Sequence, residues 1–141
     1  MAAAQSRERW VVLYDGACGF CKWTLAGLLR LDRDQRLQPL ALQAEEAEEL
    51  LAEMEPGLRM ASFHLLTPAG ELLSAGEALP PLLRLLRWGR APAAALARFP
   101  ALTAGAYRWI AEHRTGLSRL VPPRWKRRAA ERVREREGQS A

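Results

Sequence analysis

The 141-residue sequence has no apolar run long enough to cross a bilayer. Its longest stretch free of Asp, Glu, Lys and Arg runs from Met60 to Gly70, well short of the roughly 18 apolar residues a membrane helix needs. The basic-then-apolar order of a secretory leader is missing from Met1 to Arg9, so residence in the reducing cytoplasm is the expectation. Cysteine is scarce: Cys18 and Cys21 are the two in the chain. So few cannot staple a disulfide-rich fold, and in a reducing compartment such a close pair reads as a site. Histidine is equally scarce. His64 and His113 stand far apart and outside any ligand spacing, which leaves a zinc site at the cysteine pair two ligands short. No metal is expected. Internal repeats and low-complexity linkers are absent as well.

What the chain has is enough apolar residue, 49%, to build one core and no more than one domain. The net charge of +5 is unevenly placed. From Pro122 to Ala141 there are seven basic residues against three acidic ones, leaving +1 for residues 1–121. A nearly neutral body argues against a nucleic-acid partner. The expected layout is an N-terminal extension over 1–9, one domain over 10–121, and a basic C-terminal tail over 122–141, helical from Arg124 to Glu137 and frayed beyond. Deleting that tail is expected to leave the chemistry of the body intact.

Trp10 to Tyr14 is an apolar run closed by Asp15-Gly16 and predicts a buried strand that delivers the chain to Cys18. From Gly19 to Leu31 the residues Phe20, Trp23, Leu28 and Leu31 mark a helix, with Lys22, Arg30 and Asp32 off its apolar stripe. A second strand is expected over Leu37–Leu42, and an acidic helix over Ala44–Met54 ended by Pro56-Gly57. Strands follow over Met60–Thr67 and Leu72–Ala75, joined by a turn at Pro68–Glu71. A helix over Glu77–Trp88 and an Ala- and Leu-rich helical segment over Pro92–Glu112, broken near Pro100, complete the body. Trp23, Trp88, Tyr107 and Trp109 are assigned to core and inter-helix packing, Trp23 also as a wall of the site. His64 is read as a half-exposed strand residue and His113 as a residue of the last helix, neither of them a base.

A Cys-x-x-Cys across the first turn of a helix has a physical logic. The first sulfur meets unpaired backbone N–H groups and the positive helix end, which favour thiolate. Cys18 is therefore the candidate nucleophile. Cys21, one turn on and packed more deeply, is placed to attack the mixed disulfide and release the substrate. Gly19 and Phe20 between them, with Ser62 on the strand that follows, are the candidate substrate contacts. Asp15 has two readings of equal weight: acceptor of the Cys21 proton, or cap of the turn before the helix. The competing readings of the pair are half a zinc site and two structural core thiols.

The stretch Tyr14-Asp15-Gly16-Ala17-Cys18-Gly19-Phe20-Cys21 resembles the DCC thiol–disulfide oxidoreductase family, named for an Asp-Gly-x-Cys-x-x-Cys pattern. Ser62–Leu66 with Gly70 and Gly76-Glu77-Ala78 is similar to that family's strand pair and the entry to its next helix. Tyr107-x-x-Ile110-Ala111-x-x-Arg114 is similar to its closing helix. The resemblance implies an α/β thioredoxin-like fold, a central four-stranded mixed sheet flanked by helices with extra C-terminal helices, and roles at Asp15, Cys18 and Cys21 alone. It implies no bound cofactor, a disulfide or dithiol substrate, and an external reductant or oxidant. Thioredoxins themselves carry a cis-proline before the strand that faces the cysteines, where the backbone pairs with substrate. Here that stretch is Met60-Ala61-Ser62 and a trans bond is expected. The rival from another class is a non-catalytic module of the same shape that docks a partner or, weakly, a membrane surface through its last helices and Arg124–Arg128.

Overall fold

A computed structural model describes residues 9–138; most of the expected N-terminal extension, and the frayed end at 139–141, lie outside the described residues. Four strands, β1 (Trp10–Tyr14), β2 (Leu37–Ala41), β3 (His64–Leu66) and β4 (Leu72–Ser74), form one mixed sheet in the order β2-β1-β3-β4. β1 runs parallel to β2 and antiparallel to β3, which hairpins with β4. The central place of β1 explains its unbroken apolar run, because both of its faces are covered. Val12 and Tyr14 point into one core with Leu25, Leu29, Leu65 and Leu82, while Val11 and Leu13 point into a second with Leu42, Ala47 and Leu51. Pro39 sits in β2, an edge strand, where a missing donor is tolerated. Seven α-helices among the described residues flank the sheet, an arrangement consistent with a thioredoxin-like α/β fold.

The helix after β1, α1 (Gly19–Leu31), spans the expected residues, but its buried face is rotated. Leu25, Ala26 and Leu29 are buried, whereas Trp23 and Leu31 are exposed. The helix carries apolar residues on more than one side, and α7 (Pro123–Gly138) claims one of them, so the period was readable and the phase was not. Asp32, expected off the stripe, is buried at the C-cap of α1.

The expected strand over Met60–Thr67 is shorter than its pattern. After α2 (Glu45–Leu50), Pro56 opens a further helix, α3 (Pro56–Ala61), at a first-turn position where its missing N–H costs nothing. Arg59 fixes this turn by donating from Nε to the Met54 carbonyl at 2.8 Å and from Nη2 to that of Ala52 at 3.1 Å.

His64, expected to be half-exposed, is 1% exposed. Its Nε2 donates to the Arg59 carbonyl at 2.9 Å, and its Nδ1 meets the Ser74 hydroxyl at 2.6 Å. Because a carbonyl only accepts, Nε2 holds the proton and Nδ1 accepts from Ser74, the pattern of a neutral ring. Burial lowers its affinity for a second proton below the ordinary value of 6.5. The unfolded chain therefore binds a proton that the folded chain refuses. Stability is expected to be full above about pH 6.5 and to decline as pH falls from there toward the folded value. Urea midpoints measured across that range will show the decline, and His64→Gln will flatten it.

The expected helix over Glu77–Trp88 is a 3-10 turn at Ala75–Ala78 followed by α4 (Leu79–Arg84). The Ala- and Leu-rich segment divides as foreseen into α5 (Arg90–Arg98) and α6 (Pro100–Leu120). Gly76 lets α6 approach, since a Cβ there would stand 3.1 Å from the Ala104 Cα. Trp88 and Trp109 are exposed and do not enter the core.

The segment read as a basic tail packs into the body. Ala129 and Val133 of α7 belong to the principal core, and Arg136 donates to the fully buried Asp32 carboxylate at 2.7 Å. Tyr14 on β1 hydrogen-bonds Glu137.

Candidate active site

β1 ends at Tyr14 and the chain turns through Asp15-Gly16-Ala17 into α1. The Asp15 Oδ1 accepts the Ala17 N–H at 2.9 Å and the Gln43 side-chain amide at 2.8 Å. An aspartate that ties its own turn in this way aims the following residues. They carry Cys18 to the N-cap of α1, where its sulfur accepts the Cys21 N–H at 3.3 Å. Both thiols are free and partly exposed.

The two sulfurs are not equivalent. The Cys21 thiol is pushed up to about 12, chiefly by burial, then by its hydrogen bond to Cys18 and the charge on that sulfur; Arg114 opposes the rise and Asp15 adds to it. A thiol so held stays protonated at neutral pH while it donates to its neighbour. The Cys18 sulfur stands at the N-cap with a backbone N–H pointed at it.

Arg114, on α6, was not singled out for a role by the sequence. Its guanidinium lies 3.6 Å from Asp15 Oδ2, with the carboxylate side chain 12% exposed. Tyr107, one face along the same helix, accepts the Phe63 N–H at 3.1 Å. Burial raises the Tyr107 hydroxyl above its ordinary value, and the neighbouring Cys21 adds to the rise. A signal for both was present, because Tyr107, Ile110, Ala111 and Arg114 stand at i, i+3, i+4 and i+7 and so share one helix face. That face, together with Asp15, Cys21 and Ser62, walls a cavity of about 350 Å³ whose remaining surface is almost wholly apolar.

Of the expected residues, Asp15, Cys21 and Ser62 thus meet at one cavity, with Cys18 at its neighbouring helix end. The expected substrate contacts between the cysteines lie elsewhere. Gly19 sits beneath α7, where an added Cβ would be 3.1 Å from the Lys126 Cδ, and Phe20 leans on Trp23 with ring centroids 6.0 Å apart. Both bonds flanking Ser62 are trans. His113 is exposed, stacked on Trp109 and bonded to its carbonyl. No group of His, Cys, Asp or Glu among the described residues could hold a metal ion. No helix of the described chain is long and apolar enough to cross a membrane.

No curated protein and no solved structure matches the chain. The model of one protein family does, over residues 12–120. Those residues run from the middle of β1 to the end of α6 and take in the cysteine turn, the strand pair and the helix face that walls the cavity. By that match the chain belongs to the DCC1-like thiol-disulfide oxidoreductase family.

Proposed function

We propose that this chain exchanges a Cys18–Cys21 dithiol with the disulfide of a substrate. The observation that carries the reading is the placement of the two cysteines on the opening turn of α1, where the Cys18 sulfur caps the helix by accepting the Cys21 N–H. In the forward direction the Cys18 thiolate attacks a substrate sulfur, the substrate S–S bond breaks, and one thiol leaves. Cys21 then loses its proton, attacks the Cys18 sulfur and frees the second thiol. Two electrons pass from protein to substrate. Asp15 ties the turn through Ala17, and in this reading its carboxylate, which lines the same cavity as Cys21, receives the Cys21 proton. Regeneration requires an external reductant, or an oxidant for the reverse flow, and no bound cofactor enters.

The test is Cys21→Ser. This variant keeps the attacking sulfur and loses the resolving one, so mixed disulfides on Cys18 are expected to accumulate. A non-reducing gel with mass spectrometry reads them. If wild-type protein neither reduces a model disulfide nor closes its own Cys18–Cys21 bond at any physiological potential, the reading fails.

A second reading has its own observation. Leu102, Trp109, Leu120 and Trp125 are exposed on α6 and α7 among arginines, a composition suited to peripheral contact with an anionic membrane surface. Vesicle sedimentation of wild type against Trp109→Ser/Trp125→Ser decides it, and the two activities are compatible.

A further inference from the structure

Cys21 and Asp15 wall the cavity, and the helix end that carries Cys18 adjoins it. Its volume, about 350 Å³, falls in the range of small-molecule sites, about 300–1,000 Å³. Val12, Leu82, Leu96 and Ile110 are among its walls. The charged residues on it are Asp15 and Arg114, which face each other at 3.6 Å and cancel. Several of its other polar groups are spoken for within the fold. The Thr103 hydroxyl donates to the Leu96 and Phe99 carbonyls, and Tyr14 bonds Glu137.

Peptide docking beside β3 is also restricted. Next to the Met60-Ala61-Ser62 stretch, the Phe63 N–H is given to Tyr107 and is not offered to an extended substrate. β3 itself is interior to the sheet, with β1 on one side and β4 on the other. A peptide entering here would leave its own amides without partners, and a charged group would meet no uncompensated counter-charge. An apolar body forfeits neither.

We infer that the disulfide this site exchanges with is a small, uncharged, apolar molecule whose hydrocarbon body lies in the cavity against Cys21. The inference rests on the exchange reading above and names its substrate class. The stoichiometry is one protein dithiol and one R–S–S–R giving one protein disulfide and two R–SH, so a single turnover of pre-reduced protein needs no further reductant.

The experiment follows that single turnover with the full chain and three probes: diethyl disulfide, dipropyl disulfide and glutathione disulfide. The two dialkyl disulfides share leaving-group chemistry and differ by two methylenes. Each rate is divided by that of free dithiothreitol with the same probe. The normalised rate is expected to rise about tenfold from diethyl to dipropyl disulfide and to be lowest for glutathione disulfide. Ala106→Trp, which places a ring on the cavity wall from α6, is expected to lower the dipropyl-to-glutathione ratio by about tenfold. Normalised rates that are equal for all three probes in the wild type overturn the inference while leaving exchange itself intact. Absence of exchange with every probe, together with failure to form the Cys18–Cys21 bond, overturns the parent reading and this one with it. The wild-type comparison stands whether or not Ala106→Trp folds.

Discussion

Replacing Arg136 by alanine is expected to destabilise the fold by about 3–5 kcal/mol, the usual cost of removing one partner from a buried ion pair. The Asp32 side chain is 0% exposed, and Arg136 Nη1 sits 2.7 Å from its Oδ2. The same guanidinium reaches the Leu37 carbonyl at 3.2 Å and so ties the end of α1, the start of β2 and α7 together. Asp32 keeps two other partners in the variant, since it accepts the Arg36 and Leu37 N–H groups at 3.0 and 2.9 Å. Those bonds hold the loop but do not neutralise the charge. Urea denaturation of the variant gives the loss directly. Asp32→Asn combined with Arg136→Met should recover part of it, because the amide leaves no buried charge and its one oxygen keeps one of the two backbone bonds. A loss within about 0.5 kcal/mol, the range of an ordinary surface substitution, would mean that the pair is incidental.

The same contact changes the meaning of a truncation. Removing residues 122–141 takes away Ala129 and Val133 from the principal core as well as Arg136. Deletion of the segment therefore tests stability, and thiol exchange is not expected to survive it. The sequence hid this because charge dominates the composition of the segment. Ala129, Val133 and Arg136 stand at i, i+4 and i+7 on one helix face, a stripe too narrow and too basic to register as core. Long Arg side chains can bury their stems and deliver a charge to one buried acid, and Asp32 was the acid to look for.

Strands and their order were readable where period and turn chemistry agreed. β1 stood out because five consecutive residues run unbroken into Asp15-Gly16, and the hairpin of β3 and β4 because Pro68–Gly70 supplies its turn. Local patterns misled where two elements compete for the same residues. Met60 and Ala61 continue an apolar alternation toward β3, yet Pro56 and the side chain of Arg59 wind them into α3. At the site, chemistry-bearing residue types were legible and their surroundings were not. Asp15, Cys18 and Cys21 are adjacent in sequence. Tyr107 and Arg114 approach them from α6, which packs closely over Gly76, a tertiary event that no local pattern encodes.

The largest effect on chemistry is expected from comparing the two single-cysteine variants. With about 12 as its titration point, Cys21 is ionised to only ~10⁻⁵ at pH 7, against ~3% for an ordinary thiol near 8.5. Its more basic thiolate regains roughly 40-fold in intrinsic nucleophilicity, leaving a deficit of about 10². In Cys18→Ser the hydrogen bond and charge from Cys18 disappear, but burial, the principal cause, stays. Cys21 alone should therefore form a mixed disulfide about 10–100 times more slowly than an ordinary thiol, and more slowly than Cys18 alone in Cys21→Ser. Because the Cys21 thiol titrates above the working range, its rate should climb about tenfold per pH unit between roughly pH 7 and 9. Stopped-flow reaction with an aromatic disulfide reads both the ratio and the slope. Equal rates from the two variants would make the sulfurs interchangeable, and the division of labour between attack and resolution would have no basis.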